Sequence, residues 1–273
     1  FTTGTRSDLL RYLKKVGREI IKTRPSMASL LNNIAYLLHR LVEAAEKEED
    51  SNTLKRLMLV ECDRLLELRR NVFQKTVKEG VKILSDRVAL LTYSHSSTVL
   101  EVLKRGAEQG KDVKVWVTES RPLFEGRRLA EVLVEHGIPT TLIIDAALGH
   151  FMGEVDMVMV GADSVLADGS IVNKVGTYLM ALAAMERQVP FYVVCESHKF
   201  NPLSYVVNDI HLEEKDASEL LEGRMMTSLQ ARNPYFDITP AKLVKAIITE
   251  DGAIRLEYVK MRILEMFKQL YFP

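Results

Sequence analysis

The segment EVDMVMVGADSVLADGSIVNKVGTYLMALAAMERQ, residues 154–188, decides the fold class. Its apolar start is typical of a buried strand, and its end has the spacing of a helix. Between them lies a polar loop with Asp163, after which Asn173 and Lys174 are predicted to open the helix. Ligands of open α/β sheets bind where strands end in this way, so the segment also indicates a binding site.

The same alternation of strand and helix continues on both sides of this segment. Short apolar runs alternate with amphipathic stretches from residue 85 onward, which predicts a Rossmann-like, mostly parallel sheet with a C-terminal helix over 256–270. Residues 7–84 show helical spacing almost throughout. We therefore expect an α/β protein with a helical domain at 1–84 and a Rossmann-like domain at 85–273.

Composition excludes several classes of protein. Lys and Arg together number 37, as do Asp and Glu, so no basic excess points to direct nucleic-acid binding. Only Cys62 and Cys195 are present, the histidines lack metal-ligand spacing, and neither a GxGxxG nor a P-loop motif occurs. No membrane span or signal peptide is apparent. We expect a cytoplasmic protein that uses no metal and no cofactor.

Two polar clusters follow other predicted strands. TYSHSS, 92–97, places Ser94, Ser96 and Ser97 at a helix N-terminus, where they either hold an anion or simply cap the helix. His95 lies in the same cluster and is also a candidate ligand contact.

The second of these clusters is ESRPLFEGRRLA, 119–130. It offers Arg121, Arg127 and Arg128 for phosphate recognition. A surface loop with ion pairs to Glu119 and Glu125 explains the same residues equally well.

The third cluster is the loop of the opening segment. A lysine in the first turn of a helix is disfavoured by the helix dipole, so Lys174 indicates a negative partner nearby. That partner is either a bound phosphate or Asp163, the latter giving a purely structural ion pair. Cys195 ends an apolar strand and is more typical of an inert core thiol than of a nucleophile.

Several long motifs together resemble the alpha/beta/delta subunit family of eukaryotic translation initiation factor 2B. They are TRPSMASLLNNI (23–34), LTYSHSSTVLEVL (91–103), ESRPLFEGRRLA, the Gly-Ala-Asp segment, VPFYVVCESHKF (189–200) and NPYFDITPAKLVKAIITEDG (233–252). The same superfamily includes methylthioribose-1-phosphate and ribose-1,5-bisphosphate isomerases. By resemblance, those enzymes use a cysteine as catalytic acid after the first strand, partnered by the aspartate of Gly-Ala-Asp.

The chain departs from the isomerase pattern at the position of the catalytic acid. The corresponding run is Leu91-Thr92-Tyr93-Ser94, and the aspartate is Asp163. A proton donor works best with a pKa near the operating pH, which a cysteine approaches and a serine hydroxyl does not. The resemblance therefore favours a regulatory subunit without catalysis; if the chain is an isomerase, Asp163 acts with Ser94 at the acid position.

The resemblance also implies partners and a ligand. A regulatory subunit would bind the alpha subunit of initiation factor 2, influence its guanine-nucleotide exchange, and form a homodimer through the α/β half. The alternatives are a sugar-phosphate isomerase and a sensor of phosphorylated metabolites. The ligand would be a sugar phosphate or nucleoside monophosphate, held by residues of the three clusters and the helical half: Arg24, Ser94, His95, Ser96, Arg121, Arg127, Asp163, Asn173 and Lys174.

Overall fold

The N-terminal part of the chain is helical, as the sequence predicts. The computed structural model describes residues 5–48, 50–207, 210, 212–221 and 228–271. Its first helices are α1 (Arg6–Thr23), α2 (Ala28–Lys47) and α3 (Ser51–Lys82). Thr5 and Asp8 cap α1 reciprocally, and the Asp50 carboxylate accepts from the first N–H groups of α3.

Strands and helices alternate through the following hundred residues. In chain order they are β1 (Arg87–Thr92), α4 (Ser97–Glu108), β2 (Asp112–Thr118), α5 (Glu125–Glu135), β3 (Thr140–Ile143), α6 (Leu148–Phe151), β4 (Met157–Val160), β5 (Ser164–Val165), β6 (Ile171–Lys174), α7 (Thr177–Glu186) and β7 (Phe191–Val194). The remaining elements are α8 (Ser218–Leu221), β8 (Phe236–Thr239), β9 (Ala246–Thr249), β10 (Gly252–Ile254) and α9 (Leu256–Tyr271).

The described residues form a seven-stranded sheet in the order β10-β9-β7-β4-β1-β2-β3. Every neighbouring pair is parallel except β9 and β10, which form an antiparallel hairpin. One face packs against α7 and α9 through Met180 and Ile263, and the other against α4 and α5 through Val102 and Leu129. The predicted α/β class with a mostly parallel sheet is confirmed.

The prediction that Asn173 and Lys174 open a helix is wrong. Both are the last residues of β6, which pairs with β5 and β8 in a separate three-stranded antiparallel sheet. The helix α7 begins only after Gly176, whose φ of 106° suits glycine and whose added Cβ would lie 2.2 Å from the Tyr93 hydroxyl. The partner strand β8 lies some sixty residues after β6, so no pattern near Asn173 and Lys174 predicts that they belong to a strand.

Buried hydrogen bonds tie the helical part to the strands near the loop of Asp163. The Ser164 hydroxyl accepts from the backbone N–H of Ala28 at 2.9 Å, and the Ser26 hydroxyl donates to Glu213. The Asn32 amide donates to the carbonyls of His198 and Phe200. The link between α1 and α2, which contains Arg24, is thereby fixed beside β5. The division of the chain into domains at residue 84 remains a proposal.

Within the described part of the chain, no helix combines the length and apolar character needed to cross a membrane.

Candidate functional site

A polar cavity of about 200 Å³ lies where β1 and β4 end, beside β6 and β8. It contains seven of the nine predicted ligand-binding residues. Its lining consists of Arg24, Tyr93, Ser94, His95, Ser96, Glu125, Gly161, Asp163, Asn173, Lys174, Tyr235 and Phe236. The three clusters that the sequence indicated therefore meet in space, except for the arginines of the second cluster.

The turn after β1 is held in an uncommon backbone conformation. Ser94 has a φ of 61°, and its N–H donates to the Ser120 hydroxyl at 2.8 Å. The Ser96 hydroxyl accepts from the N–H of Val99, so it caps α4 while also lining the cavity. A Cβ on Gly161 would lie 2.6 Å from that hydroxyl, which explains the glycine of the Gly-Ala-Asp motif.

From the segment after β2, Glu125 and none of the arginines lines the cavity, and Asp145, which follows β3, holds the turn. The Asp145 carboxylate accepts from the backbone N–H groups of Ser120 and Arg121, at 2.7 and 2.8 Å. Arg127 pairs with Glu119 at 2.6 Å, as the surface-loop alternative predicted.

The two arginines named as ligand contacts share an aromatic neighbour. Arg127 lies over the Phe124 ring at 3.8 Å, and Arg121 lies over the same ring at 5.3 Å. Neither lines the cavity, and their role as ligand contacts stays a prediction.

Lys174 pairs with Glu125, not with Asp163 as one alternative expected. Its ammonium lies 2.9 Å from Glu125 Oε1 and 3.6 Å from the centre of the Tyr235 ring. The Tyr235 hydroxyl donates to the same Oε1 at 3.1 Å. The reason is geometric, because a lysine at the end of β6 reaches the first turn of α5. Asn173 points to the helix α7, where its amide donates to the Thr177 hydroxyl.

Burial shifts the pKa of several groups that line the cavity, among them Asp163 and His95. Burial raises the pKa of Asp163, and the positive charges of Lys199 and Arg24 only partly oppose this effect. No hydrogen bond among the described residues involves its carboxylate. Burial lowers the pKa of His95, and Arg128 lowers it further, so the imidazole is neutral at pH 7.

Sequence reasoning missed three polar side chains that line this cavity, and the apolar Phe236. Glu125 entered only as an ion-pair partner for arginines, and Tyr93 and Tyr235 were not considered. Tyr235 precedes β8 and reaches the site through long-range pairing, so only its place in the family motif pointed to it. Cys195, in contrast, is an inert core thiol as expected, because complete burial raises its pKa to about 12. The described residues contain no group of three side chains placed to hold a metal ion.

The family profile described as the Initiation factor 2 subunit family matches residues 1–256. The chain belongs to this family. Ribose 1,5-bisphosphate isomerase of Archaeoglobus fulgidus is 37% identical over 247 residues, which cover 90% of this chain and 77% of the relative. A putative translation initiation factor eIF-2B subunit 2-like protein of Pyrococcus horikoshii is 38% identical over 242 residues, 89% of this chain and 80% of that relative.

Two solved structures share the fold. The translation initiation factor eIF-2B of Pyrococcus horikoshii OT3 superposes with a TM-score of 0.77 at 35% identity, covering 92% of this chain and 84% of that one. The tetrameric eIF2B-beta2-delta2 complex of C. thermophilum has a TM-score of 0.70 at 22% identity, covering 84% and 72%. The second of these structures is that of a multimeric complex.

The expectation of a regulatory initiation-factor subunit is wrong. Archaeal relatives named ribose 1,5-bisphosphate isomerase, from five organisms, match about nine tenths of the chain at 32–37% identity. These relatives support the enzymatic alternative that Ser94 had seemed to disfavour. The single departure at Ser94 does not outweigh the match of these relatives over most of the chain.

Proposed function

We propose that the chain is an aldose–ketose isomerase acting on a ribose 1,5-bisphosphate type of substrate. The observation that carries the proposal is Asp163, a partly buried carboxyl group without a hydrogen-bond partner among the described residues, at the wall of a polar cavity. Arg24 lines the same cavity and supplies positive charge for a phosphate group. The names of the archaeal relatives favour the same substrate class.

The chemistry of such a substrate defines what the site must do. The anomeric oxygen carries a phosphate, so C1 is not a free aldehyde. The bond from C1 to the ring oxygen breaks with its electron pair going to oxygen, which gains a proton. A hydrogen with its electron pair moves from C2 to C1, and the C2 hydroxyl loses its proton as the ketone forms. One proton is therefore donated and one accepted.

Asp163 is suited to the donation. A carboxyl group whose pKa is raised by burial retains its proton closer to neutral pH than an ordinary carboxyl group does. Ser94 lies at the same cavity, where its hydroxyl offers a hydrogen bond to the substrate. Asn173 and the neutral His95 add further polar groups for the sugar hydroxyls.

The test is turnover of ribose 1,5-bisphosphate followed by phosphorus NMR, with methylthioribose 1-phosphate as a second substrate. We expect a ketose bisphosphate from the unmodified protein and a loss of about 100-fold or more in kcat for Asp163→Asn. Glu186→Gln, at an exposed position at the end of α7, is the control and should match the unmodified protein. Binding without turnover by the unmodified protein would contradict the proposal.

A homodimer through the α/β part is a second element of the proposal. The edge strand β3 and the residue after it expose Leu142 and Ile144, and α7 exposes Leu179. Exposed apolar groups of this kind are typical of association surfaces. Sedimentation should give a dimer that Leu142→Glu dissociates and that Leu59→Glu, at an exposed position on α3, leaves intact. A monomeric unmodified protein would contradict this element.

The proposed location is the cytoplasm. Cys62 and Cys195 are both free thiols, as is usual in a reducing compartment. Binding to the alpha subunit of initiation factor 2 followed from the regulatory expectation and is abandoned with it.

A further inference from the structure

We propose that Glu125 is a second catalytic carboxylate of this cavity, which takes the proton from the C2 hydroxyl while Asp163 supplies the proton to the ring oxygen. This inference rests on the proposed isomerase function. It answers the question raised by Ser94, because the reaction then needs no thiol.

The two oxygens of Glu125 have different surroundings. Oε1 accepts from the Lys174 ammonium and from the Tyr235 hydroxyl. Oε2 is buried and has no hydrogen-bond partner among the described residues. Leaving a buried carboxylate oxygen unpaired is costly. Glu125 lines the cavity, although Oε2 itself has almost no exposed surface there, so a small rotation of the carboxylate on substrate binding would let a hydroxyl donate to Oε2 and remove this cost.

Glu125 and Asp163 have opposite electrostatic environments. The buried ammonium of Lys174 compensates the negative charge of Glu125 at 2.9 Å. No described side chain donates a hydrogen bond to Asp163, and burial raises the pKa of its carboxyl group. Two carboxyl groups at one cavity with environments that differ in this way are suited to act as acceptor and donor.

The backbone that presents Glu125 is fixed in an uncommon conformation. In the described part of the chain, four non-glycine residues have positive φ, and three of them are Ser94, Ser120 and Phe124, in the two turns beside the cavity. Phe124 immediately precedes Glu125, and the Asp145 carboxylate holds the start of the same turn. Backbone strain of this kind concentrates at functional sites, because the surrounding contacts must maintain it.

The proton balance closes within the pair. Asp163 ends the reaction ionised and Glu125 ends it neutral, and exchange with solvent after product release restores both. No external oxidant, reductant or metal is needed, since the hydrogen that reduces C1 is the one that leaves C2.

The experiment measures kcat with ribose 1,5-bisphosphate and its Kd for Glu125→Gln, Glu125→Ala and the control Glu131→Gln, an exposed position on α5. We expect Glu125→Gln to lower kcat by about 100- to 10,000-fold, with Kd within about 3-fold of the unmodified protein. Added formate should restore part of the kcat of Glu125→Ala, which a merely structural role would not allow. Glu131→Gln should behave as the unmodified protein.

The outcomes separate the two proposals. An inactive unmodified protein would overturn both the isomerase function and the role of Glu125. An active protein whose kcat survives Glu125→Gln would overturn the role of Glu125 alone. A higher Kd with unchanged kcat, or no rescue by formate, would make Glu125 a positioning partner of Lys174 and would also overturn the catalytic assignment.

Discussion

Replacing Gly126 by alanine should displace Glu125 in the cavity, although Gly126 itself does not line it. An added Cβ would lie 1.7 Å from the carbonyl oxygen of Thr118 and 3.0 Å from the Ser120 hydroxyl. Because the first of these atoms belongs to the backbone of β2, the start of α5 must move by about 1 Å or more to restore normal contact. Such overpacking costs about 1–3 kcal/mol, partly offset by about 1 kcal/mol of better helix propensity.

The same displacement shifts Glu125, the neighbouring residue, relative to Lys174 and the cavity. A misplacement of about 1 Å at a reacting group lowers kcat by about 100-fold. Thermal unfolding and turnover of ribose 1,5-bisphosphate measure the two effects separately. Gly149→Ala is the matched control, because nothing lies within 4 Å of its added Cβ. A Gly126→Ala protein with unchanged melting temperature and kcat would refute the view that close packing of α5 on β2 positions Glu125.

Three further predictions concern charge and thiols. Burial raises the pKa of Asp237 to about 6 from the usual 3.8, so the folded protein loses stability relative to the unfolded chain as pH rises through that interval and the buried carboxyl group ionises. Asp237→Asn removes this ionisation and should therefore be more stable than the unmodified protein at pH 7, by up to ~3 kcal/mol in urea unfolding. The difference should be smaller at pH 4.5. Arg24→Ala should weaken binding of ribose 1,5-bisphosphate by about 10-fold or more in calorimetry, whereas the exposed Arg187→Ala should not. In the native protein a thiol reagent should modify Cys62 and spare Cys195, which is fully buried; fast reaction of both would contradict the packing of β7.

The parallel sheet was predictable because its determinants are local. Each central strand is a short apolar run bounded by polar turns, and each following helix shows its own periodicity, so β1 to β4 could be placed from the sequence alone. Because these strands are parallel, their carboxyl ends lie at the same edge of the sheet. That reasoning correctly brought Ser94 and Asp163 to the same cavity.

The small antiparallel sheet was not predictable because its pairing is long-range. Lys174 lies opposite Phe236, and no pattern within β6 reveals that partner. This pairing also changes the site: a lysine at a helix start was expected to meet a bound phosphate or Asp163, whereas the lysine at the end of β6 meets Glu125. Local propensity placed Lys174 at the cavity but did not reveal Glu125 as its ion-pair partner.

The serine at residue 94 changes which group can donate a proton, but the cavity keeps other groups that titrate. A serine hydroxyl donates hydrogen bonds but does not ionise near neutral pH, so the proton must come from a group that titrates. The cavity contains two carboxyl groups, Glu125 and Asp163, and only Glu125 is compensated by a buried lysine, which leaves Asp163 as the proton donor. Residue 94 alone therefore does not decide whether the chain is an enzyme. What decides its chemistry is whether Glu125 and Asp163 exchange protons with the same bound sugar.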